Sequence, residues 1–478
     1  MPDLPASDCL DRYRSIAPDW PAFLDALSRP LPLCLWTNTL RATEEEVAWR
    51  LGRAGIDVRP VAWYPGAFKG RAARRAGQSL PFVAGLYHIQ EEVSLLPVML
   101  LAPSPGERVL DLCSAPGNKT AQIAVALRNT GTIVANDRSA LRSRATRGVL
   151  DRLGVVNTTI TTADAENLPD RVGRFDCVLA DVPCTCQGTA RKHINALVQS
   201  GRTASLGLHR RQLAILRKAI QLCRPGGRIV YATCTFAPEE NEMVVDAALR
   251  EHAGLVSLLP ARIEGVVSSP GLTEWEGSTY DPAMALAMRI WPHQNDSGGF
   301  FVAVLSKSTG AGAAGCETIA ASDFALPSDR AAKWKHLLIE RFGFPEAAFD
   351  GLSLHQPNKK VVAAVASDHE TVRRPATVST GMPLVRVALR HPKLTTAGAR
   401  LLGRLATRNV VRADETQVRA YVRRDDFAVS EDQQDELTGT GYVLVAHDNL
   451  ILGVGLYLDA NRTVKSMFPK VLVRAASR

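Results

Sequence analysis

Between Arg108 and Leu305 short apolar runs alternate with longer stretches of helical period. The runs Arg108–Leu112, Gly131–Asn136, Thr158–Thr162, Phe175–Ala180 and Arg228–Ala232 are mostly apolar or β-branched, as strands buried on both faces are. Helices are predicted over Thr120–Leu127, Ala140–Leu153 and His209–Cys223, the last ending at the turn Arg224-Pro225-Gly226-Gly227. This alternation predicts an α/β fold, a parallel sheet with helices on both faces. Gly298–Leu305 reads as its last strand.

The flanks read differently. Leu31–Leu40 predicts a strand, Thr43–Gly55 a helix with Thr43 and Glu46 as a capping box, and Val58–Tyr64 another extended run before the basic tract Lys69–Arg75. A small α+β domain over 1–85 is expected, then the α/β domain over 86–307. A stretch rich in Gly, Ala, Ser and Thr suggests a linker over 308–328. The region 329–478 carries short strands such as Gly441–Ala446 and Leu450–Leu456, preceded by Arg386, Arg390, His391, Lys393, Arg400, Arg404, Arg408 and Arg412. A basic, β-rich terminal domain is predicted there.

Composition narrows the class. A chain of 478 residues with 46% hydrophobic and 22% charged residues is globular rather than disordered, and long enough for several domains. The net charge of +9 favours a polyanionic partner without naming one. Nine cysteines, an odd number with several inside apolar runs, fit reduced thiols rather than a disulfide framework. The start MPDLPASDCLDRYR has neither a basic nor an apolar leader segment, and no apolar run suits a transmembrane helix, so a soluble cytoplasmic protein without membrane contact is expected.

The first strand runs into Cys113-Ser114-Ala115-Pro116-Gly117-Asn118-Lys119-Thr120, at the sheet edge where doubly wound folds bind ligands. It lacks the glycines of a phosphate-binding or dinucleotide loop. Asp137 follows the next strand about twenty residues on, where a carboxylate can accept from ribose hydroxyls. Asp164 follows the third, placed to meet an adenine amino group. Each aspartate alone is more often a turn residue. In series, they point to S-adenosylmethionine, a sulfonium nucleoside with no phosphates to cradle.

Two cysteines stand in unusual contexts: Asp181-Val182-Pro183-Cys184 and Thr233-Cys234-Thr235, the second followed by Pro238-Glu239-Glu240-Asn241-Glu242. With Asp111 to Thr120, Gly188-Thr189-Ala190-Arg191-Lys192, Arg289-Ile290-Trp291-Pro292-His293, Asp296 and Gly299-Phe300-Phe301, the chain resembles the Sun/Fmu-type family of RNA cytosine-C5 methyltransferases. The resemblance is strong over roughly residues 86–305, moderate before and weak after. It implies a Rossmann-like S-adenosylmethionine-dependent core in which Cys113, Ser114, Ala115, Pro116, Gly117, Asn118, Lys119, Asp137, Arg142, Asp164 and Asp181 hold the cofactor. By position in the motifs, Cys234 resembles the nucleophile and Cys184 the cysteine that assists product release. Asp181 lies between cofactor and base. Helix potential after Pro238 would favour a Cys234 thiolate, and Glu239 and Glu240 would oppose it.

Cys177, Cys184 and Cys186 lack the spacing of zinc knuckles and Cys177 belongs to a buried strand, so no metal is expected. Cys186 departs from the family, which has Ser-Gly after Pro-Cys, whereas here glycine waits until Gly188. For RNA, the candidate positive track comprises Lys69–Arg75, Arg142, Arg144, Arg147, Arg152, Arg191, Lys192, His209, Arg210, Arg211, Arg217 and Lys218. The end of the chain, with Gly453-Val454-Gly455 and Lys465–Lys470, resembles PUA-like RNA-binding domains. The expected partner is small-subunit ribosomal RNA or the assembling subunit, acted on by a monomer. Transfer RNA, DNA cytosine methylation and a non-catalytic assembly factor are the alternatives.

Overall fold

All five apolar runs pair side by side, parallel, in the order Cys223–Thr233, Phe175–Asp181, Arg108–Asp111, Thr132–Asn136, Thr158–Thr161. The computed structural model describes residues 7–71, 76–198, 200–310, 324–372, 374–387, 393–470 and 472. Chain order reverses between Arg108–Asp111 and Phe175–Asp181, which makes their carboxyl ends the switch point where ligands bind in such sheets. Antiparallel Phe300–Lys307 continues the sheet beyond Cys223–Thr233, followed by Met288–Ile290 and Ser269–Pro270. Val256–Leu259 also pairs with Phe300–Lys307.

Neighbouring residues of each strand enter opposite cores, as the twofold side-chain period requires. Leu110, Val178, Ile229 and Tyr231 pack with Leu213, Ile215, Leu216 and Ile220 of helix Arg202–Leu222. Val109, Cys177, Leu179 and Val230 pack on the other face with Ala121, Ile123 and Ala124 of helix Asn118–Ala126. Burial on both faces explains why these runs show no apolar–polar alternation. Helix Arg202–Leu222 begins well before the predicted His209, because its first turns bury little besides Ser205 and leave no apolar period to read.

The amino-terminal sheet has the order Val58–Pro60, Ala67–Gly70, Leu33–Thr37, Tyr87–Ile89, all antiparallel. Thr43 Oγ1 caps helix Glu44–Arg53 by accepting from Glu46 N at 3.2 Å. The Glu46 carboxylate turns to Arg50 instead of closing the predicted capping box. The first helices dock on the α/β core: Tyr13 Oη donates to Gln187 Oε1 at 3.0 Å, and the Phe23 ring stands edge-on to Phe236 and Trp291.

Beyond residues 311–323, which with Cys316 and most of the expected linker lie outside the described residues, Thr377–Thr380 pairs antiparallel with Thr158–Thr161. The main sheet therefore has ten strands, one from the carboxyl-terminal region. That region also forms a four-stranded sheet from Leu352–Asn358, Val361–Ala366, Met382–Arg386 and Lys393–Leu394, and a five-stranded sheet around Gly441–His447 and Leu450–Leu458. The latter sheet docks on helix Glu44–Arg53 through Arg50 Nη1 to Asp448 Oδ2 at 3.1 Å. Among the described residues no helix is long and apolar enough to cross a membrane.

Candidate active site

The loop after Arg108–Asp111 is held from both sides. Ser114 N donates to Asn136 O at 2.8 Å, the Ala115–Pro116 peptide is cis, and Gly117 adopts φ 103° before helix Asn118–Ala126. A Cβ at Gly117 would lie 2.9 Å from Thr146 Cα, so only glycine fits this turn. Asn118 turns away to His88 Nε2 at 3.0 Å. Lys119 Nζ meets Asp181 Oδ2 at 2.7 Å, and Thr120 donates to buried Asp111 at 2.6 Å. Burial pushes the Asp111 carboxyl up to about 7.

A cavity of about 420 Å³ opens at the switch point, and Cys113, Ala115, Pro116, Asp137, Arg142, Asp181, Cys184 and Cys234 line it. Asp137 is buried beyond strand Thr132–Asn136; its Oδ1 accepts from Ser139 N at 2.9 Å and its Oδ2 lies 3.5 Å from Arg142 Nη1. Arg142 also donates to Ala115 O at 2.7 Å, joining the loop to Asp137. Asp164 Oδ1 accepts from Arg211 at 2.9 Å, and Arg211, not Asp164, lines the cavity. Ser114, Gly117 and Asn118 are absent from the lining and shape the turn instead.

Asp181 is paired with Ala232 across neighbouring parallel strands, so the residues just beyond each strand end converge. Cys184 Sγ lies 3.4 Å from Cys234 Sγ and 3.9 Å from Cys186 Sγ. Gly188 N donates to Cys234 O at 2.8 Å and Gly299 N donates to Gly188 O at 2.9 Å, clamping the loop that carries Cys184 and Cys186. A Cβ at Gly188 would stand 2.1 Å from Gly299 O. Gly188→Ala is therefore expected to destabilise the protein by about 1–3 kcal/mol, the range for overpacking, read by denaturant unfolding.

Hydrogen bonds from Cys186 and Cys234, with burial, push the Cys184 thiol up. The Cys184 and Cys234 thiols together pull Cys186 down to about 3. At Cys234 the Cys184 hydrogen bond pulls down, but the Cys186 thiol, burial and the charge on Asp181 push up harder, so the net shift is upward. Cys177 stands apart, its thiol near Glu107 and Arg228. The three clustered thiols thus include Cys234 rather than Cys177.

Residues Pro238–Asn241 form a turn, and the helix begins only at Glu242, so the expected helix end does not open at Pro238. The Asn241 amide is drawn to Thr235 O at 3.0 Å instead of capping that helix. Glu240 accepts from Thr185 N at 3.0 Å and Gln212 Nε2 at 2.9 Å, anchoring the cysteine loop. Its place in a motif was visible in sequence; its target, fifty-five residues upstream, was not. Gln187, buried between Tyr13, Thr235 and Ser200, went unread for the same reason.

Part of the expected positive track serves the fold. The Arg191 side chain is buried by bonds to Pro30 O, Ser297 O and Asp296, and Lys69 pairs with Glu92 at 2.6 Å. Arg152 is buried against His88 and the Phe82 ring; in the basic terminal region Arg400 likewise turns inward, donating to Leu452 O at 3.1 Å. Arg59, Arg71, Arg144, Lys192 and Arg210 remain exposed. Arg59 and Arg71 border a groove of about 750 Å³. Arg74, Arg75, Arg390 and His391 lie outside the described residues.

The family described as 16S rRNA methyltransferase RsmB/F matches residues 98–306, and the Methyltransferase RsmF PUA domain matches residues 408–474. A tRNA (cytosine(49)-C(5))-methyltransferase of Pyrococcus abyssi is 32% identical over 62% of this chain and 95% of its own length. The chain belongs to the RsmB/F methyltransferase family. The resemblance read from the motifs is borne out, as are the Rossmann-like core and the terminal PUA domain. A 28S rRNA (cytosine(4447)-C(5))-methyltransferase of Homo sapiens is 36% identical over 60% of this chain, which spans 35% of that relative's length. A solved methyltransferase homologue from Pyrococcus horikoshii superposes with a TM-score of 0.55 at 32% identity, over 62% of this chain and 93% of its own.

Proposed function

We propose that this chain is an S-adenosylmethionine-dependent methyltransferase that makes 5-methylcytosine in RNA, with 16S ribosomal RNA as its substrate and the cytoplasm as its place of work. One observation carries the reading: two thiols 3.4 Å apart share a cavity with Asp181 at the switch point of a Rossmann-like sheet. The choice of 16S ribosomal RNA is supported by the family description that matches residues 98–306, which names 16S rRNA. The relative that acts on transfer RNA makes that the second substrate to test.

The residues present fit the nucleoside cofactor. Asp137 is a buried carboxylate lining the cavity with acceptor capacity left for ribose hydroxyls, and Arg142 fixes it to the loop. Bound there, S-adenosylmethionine supplies an electrophilic methyl group. Cytosine carbon 5 is too poor a nucleophile to take it unaided. The Cys234 thiolate adds to carbon 6 and makes carbon 5 enamine-like, the usual gain of covalent catalysis. Asp181, steadied by Lys119, accepts from the exocyclic amine and from the ring nitrogen once that nitrogen has taken a proton from solvent, which selects cytosine over uracil. Once carbon 5 carries the methyl group, solvent reaching the open cavity takes its proton, the 5,6 double bond re-forms, the carbon 6–sulfur bond breaks and Cys234 leaves as the thiolate, with Cys184 assisting. A stacked base cannot meet the thiol and the cofactor together, so the target cytosine is unpaired or flipped out.

Incubation with methyl-labelled S-adenosylmethionine and, in parallel, small ribosomal subunits, transfer RNA or DNA tests this. Label is expected in 16S ribosomal RNA as 5-methylcytosine. Label confined to transfer RNA would move the substrate, and no label in any nucleic acid would leave a binding factor.

A further inference from the structure

We propose that Cys184, Cys186 and Cys234 form a three-thiolate site for a thiophilic divalent cation of the zinc class, and that the cation, once bound, withholds Cys234 from chemistry. Tetrahedral zinc with thiolate bonds of about 2.3 Å needs sulfurs about 3.8 Å apart. Cys184 Sγ stands 3.4 Å from Cys234 Sγ and 3.9 Å from Cys186 Sγ, and all three lie within 4.8 Å of one another. The cluster is already close to coordination geometry before any metal arrives.

Two further features favour binding. All three cysteines are partly exposed and line the same cavity, so a cation reaches them, and a fourth position facing the cavity is open to water. The cluster is preorganised: two ligands come from one loop, pinned to Cys234 by the Gly188 bond and to the turn Pro238–Asn241 by Glu240. Coordination displaces the thiol protons to solvent and changes no oxidation state. Asp181 is held by Lys119 and is not needed as a ligand.

Cys186 is the residue that creates this site, since without it only two thiols face each other. The chain's own departure from the family loop thereby becomes a metal ligand. The proposal needs no nucleic acid, so its failure is separable from failure of the methyltransferase reading.

The test uses the full-length, reduced, metal-free protein titrated with cobalt(II) and then zinc(II). One equivalent of cobalt is expected to give thiolate-to-metal absorption in the near ultraviolet, abolished when zinc displaces it. Zinc should protect Cys184, Cys186 and Cys234 from iodoacetamide, mapped by mass spectrometry on the wild-type protein. Cys186→Ser should weaken zinc at least about tenfold, as loss of a ligand does, while Cys9→Ser should not. Absence of the charge-transfer band, protection of other cysteines instead, or unchanged zinc affinity in Cys186→Ser would each overturn the site.

Discussion

Replacing Cys234 by serine is expected to lower methyl transfer to RNA at least about a thousandfold, the scale on which loss of a covalent nucleophile acts. The serine hydroxyl occupies nearly the same space, so Asp181, Lys119 and the cofactor loop keep their places and binding should survive. A fall in rate with an unchanged KM for S-adenosylmethionine is the expected split. The pH dependence follows from the upward shift of the Cys234 thiol. Only the thiolate adds to carbon 6, and a thiol held above its ordinary value of 9.0 is mostly protonated near neutrality. The wild-type rate should therefore climb with pH from neutral to pH 9.0 without levelling. Cys186→Ser removes one of the groups pushing Cys234 up, so its profile should move to lower pH. Full activity of Cys234→Ser, or a wild-type rate already flat below pH 7.0, would refute the assignment.

The core of the fold was legible because strands buried on both faces leave an unmistakable local mark, and all five paired as the pattern implied. Cys184 and Cys234 were legible through their motifs, and adjacent parallel strands bring them together. What escaped was long-range partnering. Nothing near Thr377 announces that its strand completes a sheet more than two hundred residues upstream. Arg152 and Arg191 look like nucleic-acid contacts in a one-dimensional reading, yet each is taken up by carbonyls, a histidine or an aspartate of another element. A buried arginine and an exposed one have the same letter, and only the contacts distinguish them. Cys186 shows the limit most sharply: its spacing from Cys177 and Cys184 said nothing of Cys234, the third thiol of its cluster, which follows a different strand.

Cys184→Ala is expected to trap the reaction after methyl transfer. Cys234 would still add to carbon 6 and carbon 5 would still be methylated, but release would slow, leaving protein joined to RNA through a bond that survives denaturing electrophoresis. The band should depend on S-adenosylmethionine and vanish in the Cys184→Ala/Cys234→Ser double variant. An adduct formed by Cys234→Ser alone would reverse the two roles. This chain adds a complication that follows from its geometry. Cys186 Sγ lies 3.9 Å from Cys184 Sγ and belongs to the same loop, so it can partly replace the missing thiol. The adduct in Cys184→Ala should therefore decay, and adding Cys186→Ser should make it persist severalfold longer. Equal lifetimes in the single and double variants would mean that Cys186 takes no part in release.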